Sequence, residues 1–235
     1  MVERLIARSQ LAVRSVLVNA AAHTALRATL DRLPPQTPVY LLNQDRFADV
    51  TGYNIHRGCL AIVDRPPRRD LSELLRPPHL VVIVESCSNA DNLGGIFRNA
   101  AAFGASGVVL SPDTVDPLYR KTVRTSMAAS CLVPFVWIPD WPDGLASIKA
   151  RGYTIAAMTL QPPVETLDDA AARPRPERLA IMVGAEGEGL SAASLACADW
   201  RVRIPIADLV DSLNLAVASG IALARLSPWA HSDKR

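Results

Sequence analysis

Residues 80–110 read LVVIVESCSNADNLGGIFRNAAAFGASGVVL. An apolar run, Leu80–Glu85, gives way to a polar turn, then to a small-residue helical pattern over Gly94–Phe103, and then to a second apolar run, Gly107–Leu110. Continuous apolar strands alternating with helices belong to a mostly parallel sheet covered on both faces. In the middle stands Arg98. On a helix its neighbours at three and four residues are Gly94, Gly95, Ala101 and Ala102, all small. A guanidinium on so bare a face is placed where something else can approach. The plainer reading is a helix packed closely on its sheet with the arginine in water, and these residues alone do not choose between the two.

Outward from this stretch the alternation continues. Val133–Trp137, Thr154–Met158, Leu179–Val183 and Arg201–Ile204 read as strands. Pro117–Ala129, Leu145–Arg151, Ser191–Ala196 and Asn214–Leu226 read as helices, and the Pro-rich Ala171–Glu177 as a surface loop. Toward the N-terminus, DRPPRRDLSELLRPP (64–78) holds two Pro-Pro pairs around a short charged stretch with room for one helical turn. It reads as a linker over 65–78. The first 64 residues form a smaller α/β unit, with helices around Leu5–Ala7 and at His23–Arg32. Its strands are Arg14–Asn19, Val39–Leu42 and, after a polar turn, Cys59–Val63.

The chain has 235 residues, 49% of them hydrophobic, enough for one large or two small domains with real cores. No run of eighteen apolar residues is present, and MVERLIARSQ carries charges where a signal peptide needs an apolar stretch, so a soluble cytoplasmic protein is expected, with no membrane partner. The four cysteines (59, 87, 131, 197) are too scattered for a metal site or a disulfide framework and read as buried thiols. The four histidines (23, 56, 79, 231) fall in no triad arrangement, which argues against hydrolase chemistry. Net charge is +2, but residues 1–78 hold 11 Lys+Arg against 7 Asp+Glu and residues 79–235 hold 14 against 16. Lysine occurs only at 121, 149 and 234. Arginine's planar fork suits phosphate, although genome composition produces the same bias.

Polar residues and glycines gather at three strand ends, where open α/β sheets bind ligands. SNADNLGGIFR follows the first strand of the larger unit; Asn89 and Asn92 are placed to cap and pin the turn, and Gly94 and Gly95 to let backbone approach a ligand. GAEGEGLS (184–191) is a glycine loop with Glu186 at its tip and Ser191 as a natural N-cap. Its glycine spacing is wrong for a dinucleotide, and its two carboxylates would repel a pyrophosphate. In IPIADLVDSLNLAVASGIALARL (204–226), Ser212 and Asn214 open a helix that is apolar all round and is therefore expected to be buried in a core or a subunit interface. Taken singly, Asn92 and Asn214 read as caps and Glu186 as a solvated charge.

Together and in this order the clusters resemble the three motifs of the SpoU (TrmH) RNA ribose methyltransferases of the SPOUT superfamily. The first motif is matched by Asn89, Asn92, Gly94 and Arg98, and the second by Gly184, Glu186, Gly187, Gly189 and Leu190. The third is matched by Ile204, Pro205, Ser212, Leu213, Asn214, Ala218, Gly220 and Ile221. The resemblance spans about residues 79–228, with 229–235 left as a tail. Residues 1–64, through YNIHRGCLAIV, resemble more weakly the family's L30e-like RNA-binding extension. Such extensions carry a further strand and helix before VERLIARS, which implies that this one starts late.

The resemblance implies an α/β SPOUT fold with a C-terminal deep trefoil knot, a homodimer through the C-terminal domain, and S-adenosyl-L-methionine as cofactor. Gly184, Ile204 and Leu213 would hold the cofactor, with Thr159 and Ile206 as pocket walls, and no metal is implied. It implies methyl transfer to a ribose 2′-hydroxyl of structured RNA, with 23S rRNA the favoured substrate and tRNA the alternative. Arg98 would be the catalytic arginine. A guanidinium with a pKa above about 12 is an awkward base, so contact with an RNA phosphate and stabilisation of a developing alkoxide suit it better, which leaves the final proton acceptor open. Asn92 and Asn214 would orient the nucleotide and Arg98, and Glu186 and Ser212 would complete the polar ring. A non-catalytic RNA-binding protein of the same fold would be expected to lack Arg98 or the third motif, and both are intact.

Overall fold

Asn19 ends the first strand of the chain and begins the next helix: its side chain accepts the Ala22 backbone N–H at 2.6 Å. The structure, a computed structural model, describes residues 1–9, 11–52, 55, 58–77 and 79–227. It divides into two compact units, Met1–Pro67 and Arg68–Arg235. The first contains α1 (Val2–Arg8), β1 (Val13–Val18), α2 (Ala20–Leu30), β2 (Val39–Leu41), α3 (Phe47–Thr51) and β3 (Cys59–Val63). Its sheet has the order β2-β1-β3, with β1 parallel to β2 and antiparallel to β3. Val16, Val18, Ala22 and Leu30 form its core. The helix α3 falls where a polar turn was expected. Phe47, fully buried, fixes it, and Gly52 in the left-handed region (φ 74°) ends it. Four residues of YNIHRGCLAIV (53, 54, 56 and 57) and the tail 229–235 lie outside the described residues.

The second unit runs α4 (Leu71–Leu74), β4 (Leu80–Val84), α5 (Ala90–Ala102), β5 (Gly107–Leu110), α6 (Arg120–Thr125) and β6 (Phe135–Trp137). It continues with α7 (Ala146–Lys149), β7 (Thr154–Met158), β8 (Glu165–Thr166), α8 (Leu167–Ala172), β9 (Leu179–Val183), α9 (Ala192–Ala196), β10 (Trp200–Arg203) and α10 (Leu215–Leu226). Among the described residues these strands form one seven-stranded sheet, β6-β5-β4-β9-β7-β10-β8, and every pairing is parallel. Every residue of β4, β5 and β9 is buried, as expected of strands covered on both faces. Val82, Val84 and Ile181 face a core with Leu93, Ile96 and Phe97 of α5 and Leu223 of α10. Val81, Ile83 and Met182 face the opposite core with Leu74, Ile148 and Leu195.

The one helical turn for which 65–78 has room forms as α4: Asp70 and Glu73 make a capping box, and Leu74 is fully buried against Gly107. Several other elements differ from the sequence reading for physical reasons. The helix expected over Pro117–Ala129 is confined to Arg120–Thr125, because Met127 (φ 53°) and Ala128 (φ 66°) take left-handed backbone that a helix cannot continue through. The expected loop at 171–177 begins inside α8, whose start Thr166 fixes with Asp169 through a capping box. Helix α5 begins four residues earlier than its apolar pattern suggested, because Asn89 caps it through the Asp91 N–H at 2.9 Å.

Gly94 and Gly95 serve packing rather than ligand approach. A Cβ on Gly94 would collide with Thr125 of α6, and one on Gly95 would lie 2.5 Å from the Ala216 Cβ of α10. The glycine half of the bare face around Arg98 is thus filled by two helices, while Ala101 and Ala102 stay exposed. Gly95→Val should destabilise the protein by about 1–3 kcal/mol through overpacking, measured by urea unfolding, whereas the exposed Ala102→Ser should stay within about 0.5 kcal/mol.

Candidate active site

Three segments far apart in sequence meet at one hydrogen-bonded junction. Asn92, one turn into α5 and 4% exposed, donates its Nδ2 to Glu186 Oε1 of the glycine loop. Its Oδ1 accepts from Asn214 Nδ2 at 2.8 Å, and that amide also reaches Glu186 Oε1 at 3.5 Å. The Asn214 Oδ1 caps α10, accepting from Ala216 N at 3.0 Å and Val217 N at 3.2 Å. Asn214 is therefore a cap as well as a bridge, whereas Asn92 caps nothing: its side chain is spent entirely on the other two motifs.

Beyond the junction lies a cleft of about 510 Å³ at the carboxyl ends of β7, β9 and β10, the edge where parallel sheets bind ligands. Thr159, Gly184, Ile204, Ile206 and Leu213 all line it, together with Glu186, Ser212 and Asn214. The loop over Gly184–Leu190 is folded on itself: the Gly189 N–H donates to Ala185 O at 3.0 Å, and a Cβ on Gly184 would strike the backbone of Gly189. Gly187 (φ 87°) and Gly189 (φ 72°) take left-handed backbone at its tip. Leu160, Gln161, Glu188 and Arg203 also line the cleft and were not anticipated. Only their positions after β7 and β9 and, for Arg203, at the end of β10 could have marked them.

Arg98 is exposed on α5, without a hydrogen-bond or ion-pair partner among the described residues, and it does not line the cleft. Asn92 and Asn214 make no hydrogen bond to it. The next residue, Asn99, was missed; it donates to Ala216 O at 2.7 Å and Ser219 Oγ at 3.1 Å and ties α5 to α10. Ser212 is exposed at the rim of the cleft. Helix α10 is not buried all round in a single chain: Ser219, Ala222, Leu223 and Leu226 are covered, whereas Val217 is 51% and Ile221 39% exposed. Of the cysteines only Cys87 is fully buried, the other three partly so. Burial pushes the Cys87 thiol up to about 11, and the charge of Glu186 adds to the shift.

The family model of the SpoU rRNA methylases matches residues 79–224. An uncharacterized tRNA/rRNA methyltransferase of Mycobacterium tuberculosis is 38% identical over 226 residues, covering 93% of this chain and 78% of the relative. The 23S rRNA (guanosine-2′-O-)-methyltransferase RlmB of Nitrosomonas europaea is 32% identical over 191 residues, covering 80% and 72%. The crystal structure of the SpoU methyltransferase AviRb from Streptomyces viridochromogenes, in complex with AdoMet, superposes with a TM-score of 0.77 at 23% identity, covering 92% of this chain and 83% of that one. With its parallel sheet and three joined motifs, the chain belongs to the SpoU rRNA methylase family.

Asn214→Ala should cost about 2–3 kcal/mol in urea unfolding, combining a lost cap with an orphaned Asn92 oxygen. Asn214→Ser, which keeps a capping oxygen and loses only the bonds to Asn92 and Glu186, should cost less.

Proposed function

We propose that this protein is a cytoplasmic S-adenosylmethionine-dependent methyltransferase acting on a ribose 2′-hydroxyl of structured RNA, with 23S rRNA as the favoured substrate. The observation that carries the reading is the junction of Asn92, Glu186 and Asn214 at the rim of a cleft lined by main chain and apolar walls. The cleft fits the cofactor. Its volume lies within the range of small-molecule sites, Gly184–Leu190 offers amides and carbonyls, and Leu160, Ile204 and Leu213 offer apolar surface to a base. When bound, S-adenosylmethionine supplies an electrophilic methyl group on a sulfonium.

The chain's own residues then have separable tasks. Gly184, Ile204 and Leu213 hold the adenosine portion, with Thr159 and Ile206 as walls. Glu186, fixed by Asn92 and Asn214, places negative charge beside the positively charged cofactor. Asn214 and Ser212 at the rim face the nucleotide. Arg98 contacts the RNA phosphate and stabilises the 2′-oxygen as its proton leaves. The family resemblance implies a site completed across the subunit boundary, Arg98 of one chain working near the cofactor of the other, and the position of Arg98 outside its own chain's cleft supports that reading. The exposed Val217 and Ile221, with Leu209 94% exposed nearby, support a homodimer through this unit. The return of the chain from β10, beyond β7, to pack α10 against α5 supports the trefoil knot that the resemblance implies. The unit Met1–Pro67 is read as the L30e-like RNA-binding extension. A tRNA target is the second reading, favoured by the tRNA/rRNA description of the mycobacterial relative.

Methylation with labelled cofactor, followed by ribose-methylation mapping of RNA from cells with and without the gene, distinguishes these targets. A site in 23S rRNA is expected; a site only in tRNA selects the second reading, and none at all refutes the function. Arg98→Ala should lose more than tenfold in rate, a transition-state contribution above about 1.4 kcal/mol, with unchanged cofactor affinity by calorimetry. Arg98→Lys should rescue poorly, since a point charge lacks the fork. Light scattering should give a dimer for the wild type and a monomer for Val217→Asp/Ile221→Glu.

A further inference from the structure

Glu85 brings a carboxylate into the interior at the end of β4, where it is only 5% exposed, and no task assigned above uses it. Four donors converge on it. Its Oε1 accepts from Trp141 Nε1 at 2.8 Å, Ser191 Oγ at 2.7 Å and Ser194 Oγ at 2.8 Å. Its Oε2 accepts from the Ser191 backbone N–H at 3.0 Å. The Glu85 backbone N–H donates to Val183 O at 2.9 Å. Val183 immediately precedes the glycine loop and Ser191 immediately follows it. A single residue therefore grips both ends of Gly184–Leu190, the loop that lines the cleft. Inside the loop the Gly189 N–H bonds Ala185 O and Glu186 bonds Asn92 and Asn214, so what Glu85 adds is the fixing of the two ends.

The donor set explains why a carboxylate is needed. The Ser191 N–H and the Trp141 indole N–H can only donate, and they sit on different oxygens. Both oxygens must accept. A glutamine would turn its NH2 toward the Ser191 N–H in one orientation, and in the other toward the Trp141 N–H, leaving that indole only its 3.1 Å bond to Ser194 Oγ. Charge-assisted bonds of this kind are directional and short, so they fix a distance that apolar packing would leave loose.

We propose that Glu85 is a positioning residue for cofactor binding: by clamping both ends of the glycine loop it sets the spacing of the main-chain groups that receive the adenosine portion of S-adenosylmethionine. This rests on the reading of the cleft as the cofactor site. The test uses full-length Glu85→Gln, Trp141→Phe and Ser194→Ala proteins. Calorimetry with S-adenosylmethionine should show a dissociation constant raised about tenfold or more in Glu85→Gln and a few-fold in the other two, with RNA affinity unchanged. Hydrogen exchange on the cofactor-free proteins should quicken across 184–194 while the amides of β4 and β9 keep wild-type protection. A Glu85→Gln protein with wild-type affinity and exchange overturns the proposal. So does one in which exchange rises through the whole sheet and cofactor and RNA affinities fall together, since Glu85 would then merely hold the fold. If Glu85→Gln fails to fold, the single-donor variants decide: local quickening in either supports the clamp, and its absence from both overturns it. A wild-type protein that binds no cofactor refutes the cleft reading, while the exchange measurement still reads the clamp on its own.

Discussion

The close approach of α10 to α5 governs where everything in the larger unit can go. It is possible because Gly95 faces Ala216 with no room for a side chain and Gly220 leaves only enough space for the Asn99 amide, 3.0 Å from where a Cβ would sit. Buried Leu93, Ile96, Phe97 and Leu223 supply the driving force, each worth about 1.5–3 kcal/mol relative to exposure. Hydrogen bonds supply the register. Asn99 bonds Ala216 and Ser219 in one place and Asn92 bonds Asn214 in another. Sliding either helix by one residue would break both sets and leave buried amide groups unpaired.

The glycine loop depends on that joint from one side and on β4 from the other. Glu186 is held by Asn92 and Asn214, and the loop ends are held by Glu85. The cleft thus has a firm frame around a backbone with few side chains of its own, which suits recognition through main-chain groups. Rigidity in the frame and bareness in the loop serve the same end: the pocket is formed before its ligand arrives, which lowers the ordering cost of binding.

Small residues misled where partners could not be seen. Gly94 and Gly95 suggest room for a ligand when only their own helix is considered, and the space belongs to α6 and α10. The apolar helix 214–226 suggests burial in a core or a subunit interface; one side enters the core, and Val217 and Ile221 stay exposed in a single chain. Composition reports that a surface wants covering or a close neighbour. It does not report which neighbour, because that depends on contacts between residues distant in the chain, Gly94 with Thr125 and Gly95 with Ala216.

The parallel α/β class, the positions of β4, β5, β7 and β9, and the residues of the three motifs were legible in the sequence, since apolar runs, caps and glycine clusters are local signals carried by adjacent residues. The five residues expected at the cofactor followed from the family resemblance, and all of them line the same cleft. Only the tertiary structure decided that Asn92 bonds Glu186 and Asn214 and that Arg98 stands apart from its own cleft. Helix α6 stopped early at left-handed Met127 and Ala128, a backbone state that no residue type there announces. Glu85 read as the charged end of an apolar strand. Its four donors come from residues 56 to 109 positions away, and only the folded chain brings them together.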